Sequence, residues 1–206
     1  FAGAIMIAKE AAEMLYLKRK IDAFLTEWKT NPDRKPLIVK GPRQVGKTTL
    51  LRMLMAETDK KTLFWNCDEP DIRQKLSNLT STQLQADIAQ ADLVFIDEAQ
   101  RIPNIGVTLK LIIDNFPDKQ VVVTGSSALQ LSNSINEPLT GRKYEYDMFP
   151  FSCEELIASR GEMEEKRLLE RRMVYGSYPE VVNLPGEERE TLSNLVNSYL
   201  YKDIFA

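Results

Sequence analysis

Uninterrupted apolar runs constrain the fold more than any other feature of this sequence. LIVK (37–40), DLVFID (92–97) and QVVVTGSS (120–127) are apolar through their centres, without the alternation of a half-exposed strand. Strands buried on both faces are typical of a parallel sheet covered by helices. The segments KTTLLRMLMAE (47–57) and NIGVTLKLIIDNF (104–116) have helical spacing. The alternation therefore predicts a three-layer α/β fold.

Two further runs complete the predicted sheet. TLFWNC (62–67) and KYEYDMFP (143–150) each have the length and composition of a strand. Together with the three apolar runs, they predict a mainly parallel, five-stranded sheet. Helical spacing also extends from Ala8 to Trp28, ahead of the first strand.

The segment GPRQVGKT (41–48) joins the first strand to a helix and fits the phosphate-binding pattern GxxxxGK[ST]. Its glycines let successive backbone N–H groups converge on phosphate oxygens, and the helix adds its own unpaired N–H groups. Lys47 is expected to reach the β and γ phosphates, and the Thr48 hydroxyl to ligate Mg²⁺. We predict nucleotide contacts along the whole loop, at Gly41, Pro42, Arg43, Gln44, Val45, Gly46, Lys47, Thr48 and Thr49.

Two acids end the run DLVFID and continue into EAQ. Asp97, at the carboxyl end of a buried strand, is placed to hold the magnesium shell as a Walker-B aspartate does. Glu98 can accept a proton from water aimed at the γ-phosphate. An acid after the aspartate favours hydrolysis over passive binding, because binding needs only one magnesium ligand.

Hydroxyls and an arginine supply further candidates. Thr124, Ser126 and Ser127 follow or end the fourth strand, and we prefer Ser126 as the residue facing the γ-phosphate. Arg142, after a polar loop, is a candidate for stabilising transition-state charge. Arg43 inside the loop is an alternative.

Composition excludes several classes of function. The 206 residues contain no histidine, which removes histidine bases and histidine-ligated zinc. The net charge of −3 gives no electrostatic footprint for nucleic acid or an anionic membrane. No apolar run reaches the roughly 18 residues of a membrane span, and we expect a cytoplasmic protein. The separated Cys67 and Cys153 are expected to be buried reduced thiols.

The organisation changes after residue 150. Ser152 and Glu155 predict a capped helix start with Phe151 packed on Leu156. Two further helices are predicted over 162–174 and 187–204. We expect three parts: an N-terminal helix (1–30), a P-loop ATPase core (31–150) and a helical lid or the start of a truncated domain (151–206). The native start is expected at Met6.

Five motifs in order, GPRQVGKTTLL, FIDEAQ, TGSSALQL, LTGRKYEYDMFPFSCEEL and GSYPEVV, resemble the AAA-type P-loop ATPases of bacteria and archaea. The resemblance runs from about Tyr16 to the end. It is closest to the group whose ATPase domain precedes a poorly characterised winged-helix and endonuclease-like region, most of which this sequence lacks. It implies a sensor at Ser126 or Ser127. It also implies nucleotide and magnesium roles for Lys47, Thr48, Asp97 and Glu98, and the arginine role for Arg142.

Two functions are compatible with these motifs. The first is hydrolysis of Mg-ATP that drives a conformational change in an attached C-terminal region, with low activity in this segment. The alternative is a nucleotide-gated switch that binds ATP with little turnover and regulates partner docking. Arg142 would act in cis, or in trans within a homo-oligomer. A protein or DNA partner would bind through the missing region, and the adenine is expected near Tyr16 to Arg19 and the lid.

Overall fold

The computed structural model describes residues 17–31, 33, 35–77, 80–126, 135 and 138–197. Its contacts divide the chain into two compact units. The first unit comprises Phe1–Ala23, Arg43–Gly46 and Phe149–Ala206, and the second comprises Phe24–Pro42 and Lys47–Met148. The phosphate-binding loop therefore has its two ends in the second unit and its middle in the first.

One five-stranded sheet forms the centre of the second unit. Its strands are β1 (Leu37–Lys40), β2 (Thr62–Asn66), β3 (Leu93–Asp97), β4 (Gln120–Gly125) and β5 (Tyr144–Asp147). They lie in the order β2-β3-β4-β1-β5, and every neighbouring pair is parallel. The predicted α/β class is confirmed, and the sheet expected to be mainly parallel is parallel throughout.

The continuous apolar runs are buried on both faces of this sheet. Ile38, Val94 and Val123 belong to a large apolar cluster on one face. Phe95 and Val122, which alternate with them along the strands, are also fully buried. Because side chains alternate between faces along a strand, burial of successive residues requires cover on both sides.

The described helices of the second unit lie before β1 and in the connections from β1 to β4. They are α1 (Lys20–Thr30), which begins in the first unit, α2 (Lys47–Ala56), α3 (Pro70–Ser77), α4 (Ser81–Ile88) and α5 (Ile105–Asn115). A 3₁₀ turn, Ala99–Arg101, follows β3. The start of α4 is fixed by a capping box, in which Thr80 accepts from the Gln83 N–H and Gln83 reaches back to the Thr80 N–H. Of the segment from Ala8 to Trp28, predicted to be helical, the structure describes a helix from Lys20, and residues 1–16 lie outside the described part of the chain.

Short helices make up the C-terminal part of the first unit. They are α6 (Cys153–Arg160), α7 (Glu162–Arg167), α8 (Leu169–Tyr175), α9 (Pro179–Asn183) and α10 (Glu188–Leu195). The predicted capping box of Ser152 and Glu155 starts α6, and Phe151 shares an apolar cluster with Leu156 and Val182. Residues 198–206, where the last predicted helix would end, lie outside the described residues.

The helix expected over 162–174 is wrong as a single element. Leu168 has φ −90° and ψ 0°, which separates α7 from α8. Arg172 makes two hydrogen bonds of 3.1 Å to the Glu165 carboxylate across this break, and both side chains are largely buried. Glu162 and Lys166, four positions apart on α7, form an ion pair of 2.7 Å.

The two cysteines differ in their surroundings. Cys67 is buried as expected, and burial, with Asp97 and Asp68 adding to it, raises the pKa of its thiol to about 12. The prediction of burial is wrong for Cys153, which is exposed in the first turn of α6. Both thiols are free.

Among the described residues, no helix has the length and apolar character needed to cross a bilayer.

Candidate active site

Close backbone packing requires glycine at the start of the phosphate-binding loop. The Gly41 N–H donates to the Gly125 carbonyl at 3.3 Å, and the Met148 N–H donates to the Lys40 carbonyl at 2.7 Å. A Cβ atom on Gly41 would lie 2.0 Å from the Met148 carbonyl oxygen. No side chain fits there, so the backbone of β1, β4 and the segment after β5 dictates the first residue of the motif.

Left-handed backbone conformations occur in the middle of the loop, within the first unit. Gln44 has φ +60° and Gly46 has φ +98°. Residues with positive φ turn successive backbone N–H groups toward the same side, and the concave backbone that results binds anions. The pattern agrees with the predicted role of the loop in holding phosphate.

Lys47 is held at the end of the loop that belongs to the second unit. Its ammonium donates to the Gly41 carbonyl at 2.9 Å and to the Pro42 carbonyl at 2.7 Å, and the residue is only 4% exposed. Burial of a lysine is costly unless its charge has partners. The loop carbonyls provide those partners and fix the charge at the first residue of α2.

Thr48 and Asp97 meet across the sheet of the second unit. The Thr48 hydroxyl donates to Asp97 Oδ2 at 2.8 Å, although the residues are 49 positions apart. The Thr124 hydroxyl donates to Asp97 Oδ1, and Asp97 is 3% exposed. Thr124 lies on β4, between β3, which ends at Asp97, and β1, which precedes the loop that leads to Thr48. The Thr124 hydroxyl was one of the candidates in the sequence, but no specific role was predicted for it.

The oxygen atoms of Thr48 and Asp97 suit Mg²⁺, which prefers hard oxygen ligands and retains several waters. A hydroxyl beside a carboxylate is the protein contribution expected in a nucleotide site, where substrate phosphates supply other ligands. Within the described ranges, no group of three or more acidic, cysteine or histidine side chains forms a separate metal cluster. The donor set therefore fits the group that the motifs imply.

Glu98 follows β3 in the left-handed conformation, with φ +54° and ψ +42°. Its N–H donates to the Thr124 hydroxyl oxygen at 3.1 Å. Its carboxylate accepts from the side-chain amide of Gln100, and the same amide nitrogen donates to Ser126 Oγ at 2.7 Å. The structure thus brings together Glu98 and Ser126, while Ser127 lies outside the described residues.

The structure does not bring Arg142 to these residues within the same chain. Arg142 lies two residues before the start of β5, and its guanidinium pairs with Asp114 of α5 at 2.6 Å. This places it at the amino-terminal edge of a parallel sheet, whereas Asp97 ends β3 at the carboxyl-terminal edge. Of the two roles expected for Arg142, only the role in trans agrees with this position, and that role stays a prediction.

Arg19 of the first unit makes contacts that were not predicted from the sequence. Its guanidinium donates to the Val45 carbonyl of the loop at 3.2 Å, to the Phe149 carbonyl, and to Glu155 Oε1 at 3.2 Å. It also stacks on the Phe151 ring, 4.3 Å from the ring centroid. We expected Arg19 to lie near the adenine, but in the structure its side chain belongs to this buried network.

Glu155 balances the charge of Arg19. Burial raises the pKa of its carboxyl, but hydrogen bonds from the Ser152 and Lys20 N–H groups and the nearby guanidinium outweigh burial, so the pKa lies below its ordinary value. The carboxylate therefore stays ionised and completes the ion pair. Three further arginines of the C-terminal helices lie in different surroundings: Arg171 pairs with Glu188, Arg172 with Glu165, and Arg189 is exposed.

A family model described as "AAA domain" matches residues 33–157, well over half of the chain. The chain belongs to the AAA domain family. The match spans the whole sheet, the phosphate-binding loop and the Thr48–Asp97 contact. The first helix of the C-terminal segment is also largely included. The family match confirms the resemblance to AAA-type P-loop ATPases.

Relatives of this AAA domain come from several bacteria. Uncharacterised proteins of Mycobacterium bovis and Mycobacterium tuberculosis are each 31% identical over 111 residues, which is 53% of this chain and 24% of theirs. An uncharacterised protein of Haemophilus influenzae is 24% identical over 188 residues, 81% of this chain and 45% of that protein. The chain thus spans less than half the length of these curated relatives.

A solved structure shares the fold. The Walker-type ATPase of Pyrococcus abyssi superposes with a TM-score of 0.64 at 18% sequence identity, over 91% of this chain and 75% of that one. At this identity the similarity concerns the fold. It agrees with the five-stranded P-loop architecture and the helical C-terminal segment.

Proposed function

We propose that this AAA domain hydrolyses Mg-ATP. The observation that carries the proposal is the Thr48–Asp97 hydrogen bond of 2.8 Å, with Glu98 next along the chain. The bond joins the residue after the loop lysine to the acid at the end of β3. A nucleotide-binding switch would use the buried Asp97 carboxylate for magnesium but would not need a second acid beside it.

Each residue has a distinct role in the proposed reaction. Lys47 leaves its loop carbonyls to neutralise charge on the β and γ phosphates, and the loop N–H groups hold the phosphate oxygens. Thr48 and Asp97 would hold Mg²⁺, which when bound offsets negative charge on the phosphates. Glu98 orients the attacking water and accepts its proton. Thr124 keeps the Asp97 carboxylate and the Glu98 backbone in fixed positions.

Turnover by the purified chain tests this proposal directly. We expect phosphate release from ATP that requires Mg²⁺ and stops when EDTA removes the metal, because the phosphate charge is then unopposed. The assay measures inorganic phosphate over time, with and without DNA or candidate partner proteins. Stoichiometric ATP binding without phosphate release under all these conditions would favour the nucleotide-gated switch instead.

We further propose that the reaction changes the conformation of the C-terminal helical segment through Arg19. The loop carbonyl of Val45, the Phe149 carbonyl and Glu155 of α6 share this one guanidinium, and the side chains of Arg19 and Glu155 are 5% and 8% exposed. A planar guanidinium holds several acceptors in a fixed relation. Movement of the loop on nucleotide binding would therefore displace the start of α6.

Arg19→Lys should uncouple the loop from α6. A lysine keeps a positive charge for Glu155 but cannot hold all three acceptors in the plane of a guanidinium. We expect that Mg-ATP slows amide hydrogen exchange in Cys153–Arg160 of the wild type and leaves exchange there unchanged in the variant. Arg19→Met should in addition lower the free energy of unfolding by about 3–5 kcal/mol, because Glu155 remains buried without its partner.

The exposed Arg189 supplies the matched control. Arg189→Lys should keep the nucleotide-dependent exchange, and Arg189→Met should leave stability nearly unchanged. A wild-type α6 whose exchange does not respond to Mg-ATP would refute this coupling and leave the proposed hydrolysis in place.

A further inference from the structure

Among the described residues of the second unit, Gln100 is the side chain that bonds to both Glu98 and Ser126. Its amide nitrogen donates to the Glu98 carboxylate and, at 2.7 Å, to Ser126 Oγ. Its amide oxygen accepts from the Ser126 N–H at 3.2 Å. The amide group therefore uses its donor and its acceptor on residues from the ends of two adjacent strands.

The local backbone fixes the position of Gln100. The left-handed conformation of Glu98 starts the 3₁₀ turn Ala99–Arg101, and Ala99 is fully buried beneath it. The Arg101 N–H donates to the Glu98 carbonyl at 3.0 Å, which closes the turn. This turn directs Gln100 back toward the carboxyl ends of β3 and β4. Partial burial of Glu98, Gln100 and Ser126 strengthens their hydrogen bonds relative to bonds in open water.

We propose that Gln100 is a positioning residue that sets the orientation of the Glu98 carboxylate relative to the Ser126 hydroxyl during ATP hydrolysis. The inference rests on the proposed function, which it deepens by adding a residue that touches neither phosphate nor metal ligand. A carboxylate that must accept a proton from one particular water needs one rotamer. The Gln100 amide selects that rotamer of Glu98. Because the amide is hydrogen-bonded to both Ser126 and the Glu98 carboxylate, it couples the positions of the two residues.

Gln100→Leu tests this role with a side chain of similar size that forms no hydrogen bonds. We expect kcat for ATP to fall about ten- to a hundredfold, the loss expected when one hydrogen bond to a charged group disappears. The dissociation constant for Mg-ATP should stay within about twofold of the wild-type value, since Gln100 does not contact Lys47, Thr48 or Asp97. Gln100→Glu should be at least as impaired, because it places a second carboxylate against Glu98.

A double-mutant cycle separates positioning from mere packing. In the Glu98→Gln background, Gln100→Leu should cause no further loss of kcat, because a positioning residue acts only through the group it orients. Additive losses would overturn the proposal, since they indicate general damage to the fold. The exposed Gln74 of α3 gives the control variant, Gln74→Leu, which should retain wild-type kcat.

The outcomes distinguish this inference from the proposed function. A wild-type chain without ATP turnover would overturn the proposed function, and this inference with it. Turnover in the wild type together with an unchanged kcat in Gln100→Leu would overturn the role of Gln100 alone. A lower affinity for Mg-ATP in Gln100→Leu, with kcat preserved, would also overturn it, because that result assigns Gln100 to binding.

Discussion

Lys47→Ala should weaken ATP binding by about a hundredfold or more. The ammonium is buried and lies on two loop carbonyls, so it is available to phosphate oxygens without being drawn from bulk water. Hydrogen bonds to charged groups contribute about 1.5–3 kcal/mol each, and each 1.4 kcal/mol is tenfold in affinity. Isothermal titration calorimetry with Mg-ATP measures the change directly.

Control variants are needed for this experiment because Lys47 also organises the loop itself. The exposed Lys110 of α5 offers a matched change, and Lys110→Ala should bind Mg-ATP as the wild type does. Circular dichroism should show that both variants remain folded at the temperature of the titration. An undiminished affinity in folded Lys47→Ala would refute the assignment of residues 41–48 as a nucleotide-binding loop.

Glu98→Gln should reduce ATP turnover by about 10²–10⁴-fold while Mg-ATP still binds. General-base catalysis contributes about this much, and an amide cannot accept the proton from the attacking water. The substitution keeps the size of the side chain and an oxygen that can accept from Gln100. Steady-state phosphate release gives kcat, and calorimetry on the same preparation gives the affinity.

The exposed Glu170 of α8 provides the comparison for Glu98. Glu170→Gln changes the net charge by the same amount and should leave kcat unchanged. If Glu98→Gln hydrolyses ATP at the wild-type rate, Glu98 is not the base and its pairing with Gln100 has another purpose. A loss of Mg-ATP binding in this variant would instead place Glu98 among the metal-binding residues.

The sheet was predictable because burial on both faces leaves a direct trace in the sequence. Runs such as LIVK and QVVVTG contain no alternation, and each became a strand of the parallel sheet. The phosphate-binding loop was equally predictable. Close backbone packing requires glycine at position 41, and the lysine at position 47 supplies positive charge for the phosphates. The capping box at Ser152 was predictable because it fixes a helix start by local hydrogen bonds alone.

The remaining features depend on contacts between distant parts of the chain. Arg19 and Glu155 are 136 positions apart, and neither has a local pattern that names the other. Gln100 follows the two acids closely, but only the strand order places Ser126 beside it. The break at Leu168 was missed for a similar reason, because the helical spacing of 162–174 continues through a residue whose backbone is not helical.

The position of Arg142 limits the assemblies in which it could serve a neighbour. It lies at the amino-terminal edge of the sheet, while Thr48 and Asp97 meet at the carboxyl-terminal edge. A subunit that donates this arginine must therefore present one edge to the opposite edge of the next subunit. A two-fold dimer satisfies that requirement when its subunits lie antiparallel, because the arginine of each subunit then reaches the site of the other. Head-to-tail contacts also satisfy it, and they generate a closed ring or an open helical filament according to the rotation between subunits.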